Sequence, residues 1–273
     1  MFHEGEWRRG GWTLAAVAVL VCAALGSGCA RRPTALSVAC STAFEPAGVA
    51  LADAFMKQRP EMRVTFHRMD SGSVVEAVRA GVAELGVAEF VPPAVASGVD
   101  LTVSELARVG IAIIVNPANT VSNLTLQQVR SVFGGGIRNW KDLGGADRAI
   151  SLVLREEGSG TRRRVEERLK VKASAGGVVI QDTSGAVVDT VANDANAVGY
   201  VLQSVRETRV RPLDLDGVPC TDATLRGGSY PLVTSAFLLA HEQPGGLAAA
   251  FLAFVESPAG KEIMRSHGLT PAP

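Results

Sequence analysis

The chain has 273 residues, with 27 Lys and Arg against 27 Asp and Glu, so its formal net charge is zero. That balance excludes both the basic surface that nucleic-acid binding needs and a strongly acidic tail. The cysteines (Cys22, Cys29, Cys40, Cys220) and histidines (His3, His67, His241, His267) show no metal-ligand spacing, and neither a metal nor a cofactor is expected.

Arg8 and Arg9 precede an apolar run from Trp12 to Leu25, followed by Gly26, Ser27, Gly28 and Cys29. The run is shorter than the roughly 20 residues that span a bilayer. A basic, an apolar and a small-residue region in that order make a secretory signal, residues 1–28. The cysteine after the small residues points to lipidation of Cys29, with 29–35 as a linker. Gly26 departs from the Leu usual at that place in lipoprotein signals, which leaves cleavage without a lipid as the alternative. About 245 residues follow, enough for one large domain or two ordinary ones. Cys40 and Cys220 remain and are expected as free thiols, although an oxidising compartment would allow them to pair.

The mature chain alternates strand and helix, an α/β pattern. Strands are expected at 36–38, 63–67 and 84–88. Helices at 46–58 and 74–80 separate them. A long apolar strand at 107–115 ends at Asn116 and Pro117. Thr125 caps a helix to Phe133. A buried strand at 149–154 leads to a helix at 161–170. Then come a strand at 178–181, a helix at 186–192, strands at 197–201 and 210–213, and a second long apolar strand at 232–239. Helices at 245–255 and 258–267 close the chain, the second opened by a Ser257 cap and Pro258.

Three strand-to-helix turns are rich in hydroxyls and small residues. They are Cys40-Ser41-Thr42-Ala43, Asp70-Ser71-Gly72-Ser73 and Arg155-Glu156-Glu157-Gly158-Ser159-Gly160-Thr161. A helix start offers unpaired backbone N–H groups and the positive end of the dipole, a ready anion site. Arg155 adds a guanidinium fork that can grip an oxyanion. On the heptad alone an ordinary helix cap explains the same residues equally well. It carries neither a nucleotide-loop lysine nor the spacing of a nucleophile elbow. Arg162, Arg163 and Arg164 read as a solvated helix face, and Phe133 and Trp140 as packing.

One block is highly specific: Ile111-Ala112-Ile113-Ile114-Val115-Asn116-Pro117-Ala118-Asn119, Val121 to Thr125, Val129 to Phe133, and Ile137 to Gly145. With Gly199-Tyr200-Val201, Asp216-Gly217-Val218 and Gly228 to Leu232, it resembles the periplasmic phosphate-binding lipoproteins of Pst-type ABC importers. The resemblance runs from about Leu36 to Pro273.

It implies an α/β, two-lobed periplasmic-binding-protein fold of type II, each lobe a mixed sheet flanked by helices. Lobe 1 would be 36–116 with 231–273, and lobe 2 would be 117–230. Inorganic phosphate would sit in the interlobe cleft, bound by Ser41, Thr42, Ala43, Ser71, Glu89, Arg155, Glu157, Ser159, Gly160 and Thr161. Glu157 would pair with Arg155 and hold its plane. Glu89 would accept a hydrogen bond from a protonated phosphate oxygen. Cys40 replaces a usual Gly, and Glu89 and Glu157 stand where Asp is common. The expected role is a monomeric binding protein, not an enzyme. It would hand phosphate to ABC permease transmembrane subunits while anchored through Cys29 at the periplasmic or cell-surface face of a membrane. Binding of another tetrahedral oxyanion, phosphate sensing and, more remotely, a phosphatase-type hydrolase are the alternatives.

Overall fold

Apolar, β-branched runs and capped helices build a mixed sheet with helices packed on it, in a computed structural model of the chain. The structure describes residues 34–96, 101–172, 178–205, 207–241 and 244–272; the expected signal segment and Cys29 lie outside them. Residues Thr34–Pro273 form one compact unit.

In chain order the strands are β1 (Thr34–Ser41), β2 (Met62–Met69), β3 (Leu85–Ala88), β4 (Thr102–Val115), β5 (Asn123–Leu124), β6 (Ser151–Arg155), β7 (Val178–Gln181) and β8 (Ala197–Leu202). There follow β9 (Arg211–Pro212), β10 (Asp214–Leu215), β11 (Val233–Ala240) and β12 (Thr270–Pro271). The helices are α1 (Glu45–Gln58), α2 (Ser71–Arg79), α3 (Pro93–Ala96), α4 (Leu126–Phe133), α5 (Gly160–Leu169), α6 (Ser184–Asn193), α7 (Asp222–Arg226), α8 (Gly246–Glu256) and α9 (Pro258–Ser266).

Side-chain caps start most of these helices. Thr125 and Gln128 make a reciprocal capping box on α4. Asp70, Ser159, Thr183 and Ser257 each accept a backbone N–H in the first turn of α2, α5, α6 and α9.

The main sheet runs β2-β1-β3-β11-β4-β8-β6-β7. In its first half β1 pairs parallel with β2 and β3, and β11 lies antiparallel between β3 and β4. In its second half β6 pairs parallel with β7 and β8, and β8 lies antiparallel to β4. The 14-residue β4 therefore serves both halves. Its first part pairs with β11 as far as Gly110, and its last five residues pair with β8 from Ile111 onward. Residues 109–115 are all buried, and a strand covered on both faces reads as an unbroken apolar run.

These directions place the site. Strands β1, β2 and β3 run the same way as β4, which leaves the first half and enters the second. Strands β6, β7 and β8 run against it. The carboxyl ends of the two sets therefore face each other, the position where α/β sheets bind ligands.

Helices cover each half. On the first, Phe55 of α1 packs edge-on against Phe251 of α8 at 5.3 Å, while Val74, Val75 and Val78 of α2 fill the opposite face. On the second, Val187, Val188 and Val191 of α6 cover one face. Phe133, Trp140, Leu169 and Tyr200 pack in the main cluster. Burial of each such apolar side chain contributes about 1.5–3 kcal/mol.

The expected strand at 210–213 is instead two short pieces on different partners. Pro212 has no N–H to give a ladder. After Leu213 donates to the Ile113 carbonyl, the chain leaves β4 and β10 pairs with β5.

Candidate functional site

Each strand end delivers one piece of a single small pocket. β1 ends at Ser41 and is followed by Thr42. β2 leads into Asp70 and Ser71, and β3 into Glu89. From the other half, β6 ends at Arg155 and leads through Gly158 to Ser159 and Gly160. Ser41, Thr42, Asp70, Ser71, Glu89, Arg155, Ser159 and Gly160 all line this pocket. Thr161 stands beside them, its hydroxyl donating to Glu89 Oε1 at 3.1 Å. Ala43 is fully buried behind Thr42, and its carbonyl accepts from Ser204 Oγ at 2.8 Å.

Glu89 joins the two halves. It is 2 % exposed. Its Oε2 accepts from Ser71 Oγ at 2.7 Å within the first half, and its Oε1 accepts from Thr161 across the gap. Gly160 makes this approach possible. A Cβ there would overlap Ser71 Oγ and lie 2.9 Å from both Ser71 Cβ and Glu89 Oε2. Gly158 is nearly as crowded, since a Cβ would come within 3.2 Å of the Asp70 carboxyl carbon.

The structure corrects the expected pairing of Arg155. Glu157 is exposed and does not hold it. Glu156 does, with Nε to Oε2 and Nη2 to Oε1 both at 2.9 Å. Nη2 also donates to the Asp182 carbonyl at 3.0 Å, and Nη1 to Ser184 Oγ at 3.1 Å. Four of the five guanidinium donors are thus engaged inside the protein. One Nη1 proton is left for a ligand, so the fork cannot offer an oxyanion two donors at once in this arrangement. The Arg155 main chain is fixed as well: its N–H donates to Tyr200 Oη, and its carbonyl accepts from Arg162 Nη1. Burial pushes the Tyr200 phenol upward, so it stays neutral while accepting that bond.

The solvated-face reading holds for exposed Arg163 but fails for Arg162 and Arg164. Arg162 is buried, spanning the Arg155 carbonyl and Glu166. Arg164 Nε donates to the Glu89 carbonyl at 2.8 Å. Trp140 and Phe133 pack as expected, Trp140 donating to the Asn196 carbonyl and Phe133 lying 5.7 Å from the Tyr200 ring.

Two hydroxyls in the pocket, Ser41 Oγ and Thr42 Oγ1, are buried without a hydrogen-bond partner among the described residues. Leaving a buried polar group unpaired costs about 1–3 kcal/mol, so each calls for a partner that the protein itself does not supply. Ser159 Oγ accepts the Arg162 N–H as a cap, which leaves its own proton to donate. At the rim, Asp70 accepts from Ser73 N and Ser73 Oγ. Partial burial raises its carboxyl, but these bonds outweigh it and hold the group below the usual carboxylate range. Cys40, next to Ser41 in β1, is fully buried, its thiol raised well above normal by burial and then by the charges of Glu89 and Glu45. It and Cys220 are free. No cluster of three or more metal-ligating side chains occurs among the described residues.

Sequence reasoning missed two anchors of Arg155, Asp182 and Ser184. A signal was present. Residues 182–185 form a fourth hydroxyl-rich strand-to-helix turn, Asp-Thr-Ser-Gly, of the same kind as the other three.

Facing strand ends that bring buried hydroxyls and a guanidinium into one small pocket are the arrangement of a solute-binding protein. Comparison with known proteins places it more closely. The PBP superfamily domain matches residues 27–259. The phosphate-binding protein PstS of Bacillus subtilis is 29% identical over 241 residues, covering 86% of this chain and 80% of that protein. A putative phosphate ABC transporter substrate-binding protein from Clostridium perfringens, solved with bound phosphate, superimposes with a TM-score of 0.84 at 30% identity, over 88% of this chain and 100% of that one. An ABC-type phosphate transport receptor from Vibrio cholerae gives a TM-score of 0.71 at 25% identity, over 87% and 100%. The chain belongs to the PBP superfamily, in its PstS-like branch.

Proposed function

We propose that the protein captures inorganic phosphate outside the cytoplasm and hands it to the transmembrane subunits of an ABC importer. One observation carries the reading: Ser41 Oγ and Thr42 Oγ1, buried and unpartnered, share a pocket with Arg155 and the starts of α2 and α5. The relatives support it, since those named above are phosphate-binding proteins or phosphate transport receptors. Residues 36–116 with 231–273 and residues 117–230 are assigned to two lobes, which close on the anion. Lipidation of Cys29 would keep the protein beside its permease.

In this reading Ser41, Thr42 and Ser159 donate to phosphate oxygens, together with the free Nη1 proton of Arg155 and backbone N–H groups at the helix starts. Glu157 is withdrawn from the ligand set. Glu89, already accepting from Ser71 and Thr161, uses a remaining lone pair to accept a proton carried by phosphate. Sulfate is fully deprotonated at neutral pH and would set an oxyanion against that carboxylate. A site with such an unmade bond can discriminate by roughly 10⁴-fold.

Calorimetry of residues 30–273 with phosphate, arsenate, sulfate and molybdate tests this. Phosphate and arsenate are expected to bind and sulfate to fail. Glu89→Gln is expected to narrow the phosphate-to-sulfate ratio by at least about tenfold. Preference of the parent for sulfate or molybdate would refute the assignment.

A further inference from the structure

Helix α5 begins with Gly160, and its next residues include Arg162, Arg163 and Arg164. Cations at a helix start oppose the macrodipole. A sequence that breaks a local rule needs compensation nearby. Arg162 finds it inside the second half, at Glu166 and the Arg155 carbonyl. Arg163 and Arg164 find it on the segment that carries Glu89.

Arg163 lies over the Phe90 ring, 4.4 Å from its centroid. Arg164 approaches the same ring at 5.2 Å and Phe237 at 5.7 Å. Its Nε also donates to the Glu89 carbonyl, and its Nη1 pairs with Glu167 at 2.9 Å. The Arg164 contacts thus hold both the main chain of Glu89 and the side chain next to it. Thr161, one turn earlier on the same helix, holds the Glu89 carboxylate.

We infer that Arg163 and Arg164, gripping Phe90, form a clasp between the two sheet halves that positions Glu89 and slows escape of the bound anion. The inference rests on the proposed phosphate-binding role. Neither arginine lines the pocket, so both act as positioning residues. A clasp of this kind completes itself after the anion has entered. Its energy therefore belongs to release and not to encounter.

The test uses residues 30–273 with inorganic phosphate. Release is followed by stopped flow into an excess of a fluorescent phosphate trap, and affinity by calorimetry. Phe90→Leu and Arg164→Gln are each expected to speed release by about five- to thirtyfold. Association should stay within about twofold, because interface changes act mainly on dissociation. Arg164→Lys keeps a cation over the ring but loses the planar fork, and should fall between. Arg164 has 23% of its side chain exposed, so Arg164→Gln keeps the test open should Phe90→Leu fail to fold. Release at the parental rate in these variants overturns the clasp and leaves the phosphate reading intact. So does a loss confined to association. A merely structural role would lower the melting temperature without phosphate and leave release unchanged. A parent that gives no heat with phosphate overturns the phosphate reading and the clasp with it.

Discussion

Gly160→Ala is the sharpest perturbation available, because it adds one methyl group where the two halves touch. The new Cβ would overlap Ser71 Oγ and lie 2.9 Å from Ser71 Cβ and Glu89 Oε2, where ordinary contact begins at 3.4 Å. Rotating the serine hydroxyl does not help, since Ser71 Cβ is itself too close. The halves must move apart, and the bond from Thr161 to Glu89 is then lost. A hydrogen bond to a charged group is worth about 1.5–3 kcal/mol, so phosphate affinity should fall by roughly 100-fold. In the proposed closing motion the unliganded halves can separate and avoid the clash, so the cost falls on the closed, anion-bound form. The ligand-free variant should therefore melt close to the parent.

The difference appears on adding phosphate. At a concentration 1,000 times the parental Kd, bound ligand stabilises the parent by about 4.1 kcal/mol, against about 1.4 kcal/mol for a variant bound 100-fold more weakly. For a chain of this size that gap of about 2.7 kcal/mol corresponds to roughly 5–11 °C in Tm. Differential scanning calorimetry with and without phosphate measures it directly. A Gly160→Ala protein with the parental phosphate-induced rise would show that the two helix starts do not meet at the anion, and the site would have to be redrawn.

Exchanging the two neighbouring glutamates separates partner from bystander. Glu156→Gln leaves a buried guanidinium without its counter-charge and should cost roughly 1–3 kcal/mol, less than a fully enclosed pair because Glu156 is 30% exposed. Glu157→Gln should stay within about 0.5 kcal/mol, and urea unfolding distinguishes them. Because Arg155 is already neutralised inside the protein, phosphate affinity should vary little between low and moderate salt, in contrast to a site built on exposed charge. Asp70 has a depressed carboxyl in the folded state, so its contribution is present above the ordinary titration range near pH 4 and is lost as pH falls through the folded value. The stability gap between the parent and Asp70→Asn should therefore narrow from pH 7 to pH 3 in urea titrations. Burial pushes the Cys220 thiol up to about 12, and Cys40 is buried more deeply still. Neither should react with a disulfide reagent at pH 8 until denaturant is added, and rapid labelling of native protein would contradict this packing.

Period and punctuation in the chain were enough to find most elements, because each is marked locally. Asn116 and Pro117 stop β4, Thr125 with Gln128 announces α4, and Ser257 with Pro258 announces α9. The anion turns were legible for the same reason: hydroxyls and glycines at a helix start carry their chemistry in one short stretch. The partner of Arg155 was not. Glu156 and Glu157 are chemically alike and adjacent, and only the path of the turn after β6 decides which one folds back. Arg162 and Arg164 were misread because their acceptors, the Arg155 and Glu89 carbonyls, are main-chain atoms, the second of them far away in sequence. Helix α7 escaped notice because it is only five residues long, although Thr221 and Thr224 cap it reciprocally. The 3₁₀ turn Trp140–Leu143 is shorter still.

A continuous strand through two halves also limits how they can move. β11 releases β4 after Gly110 and β8 takes it up at Ile111, so the ladder changes hands within one peptide link. Gln203 and Leu232 secure that link, the first donating to the Gly110 carbonyl and the second accepting from the Ile111 N–H. If the halves open as the proposed function requires, the motion is a torsion about a single pinned axle, with the strands of each half keeping their register. Capture and surrender of cargo would cost the molecule a twist and no refolding, and such a gesture can be repeated indefinitely.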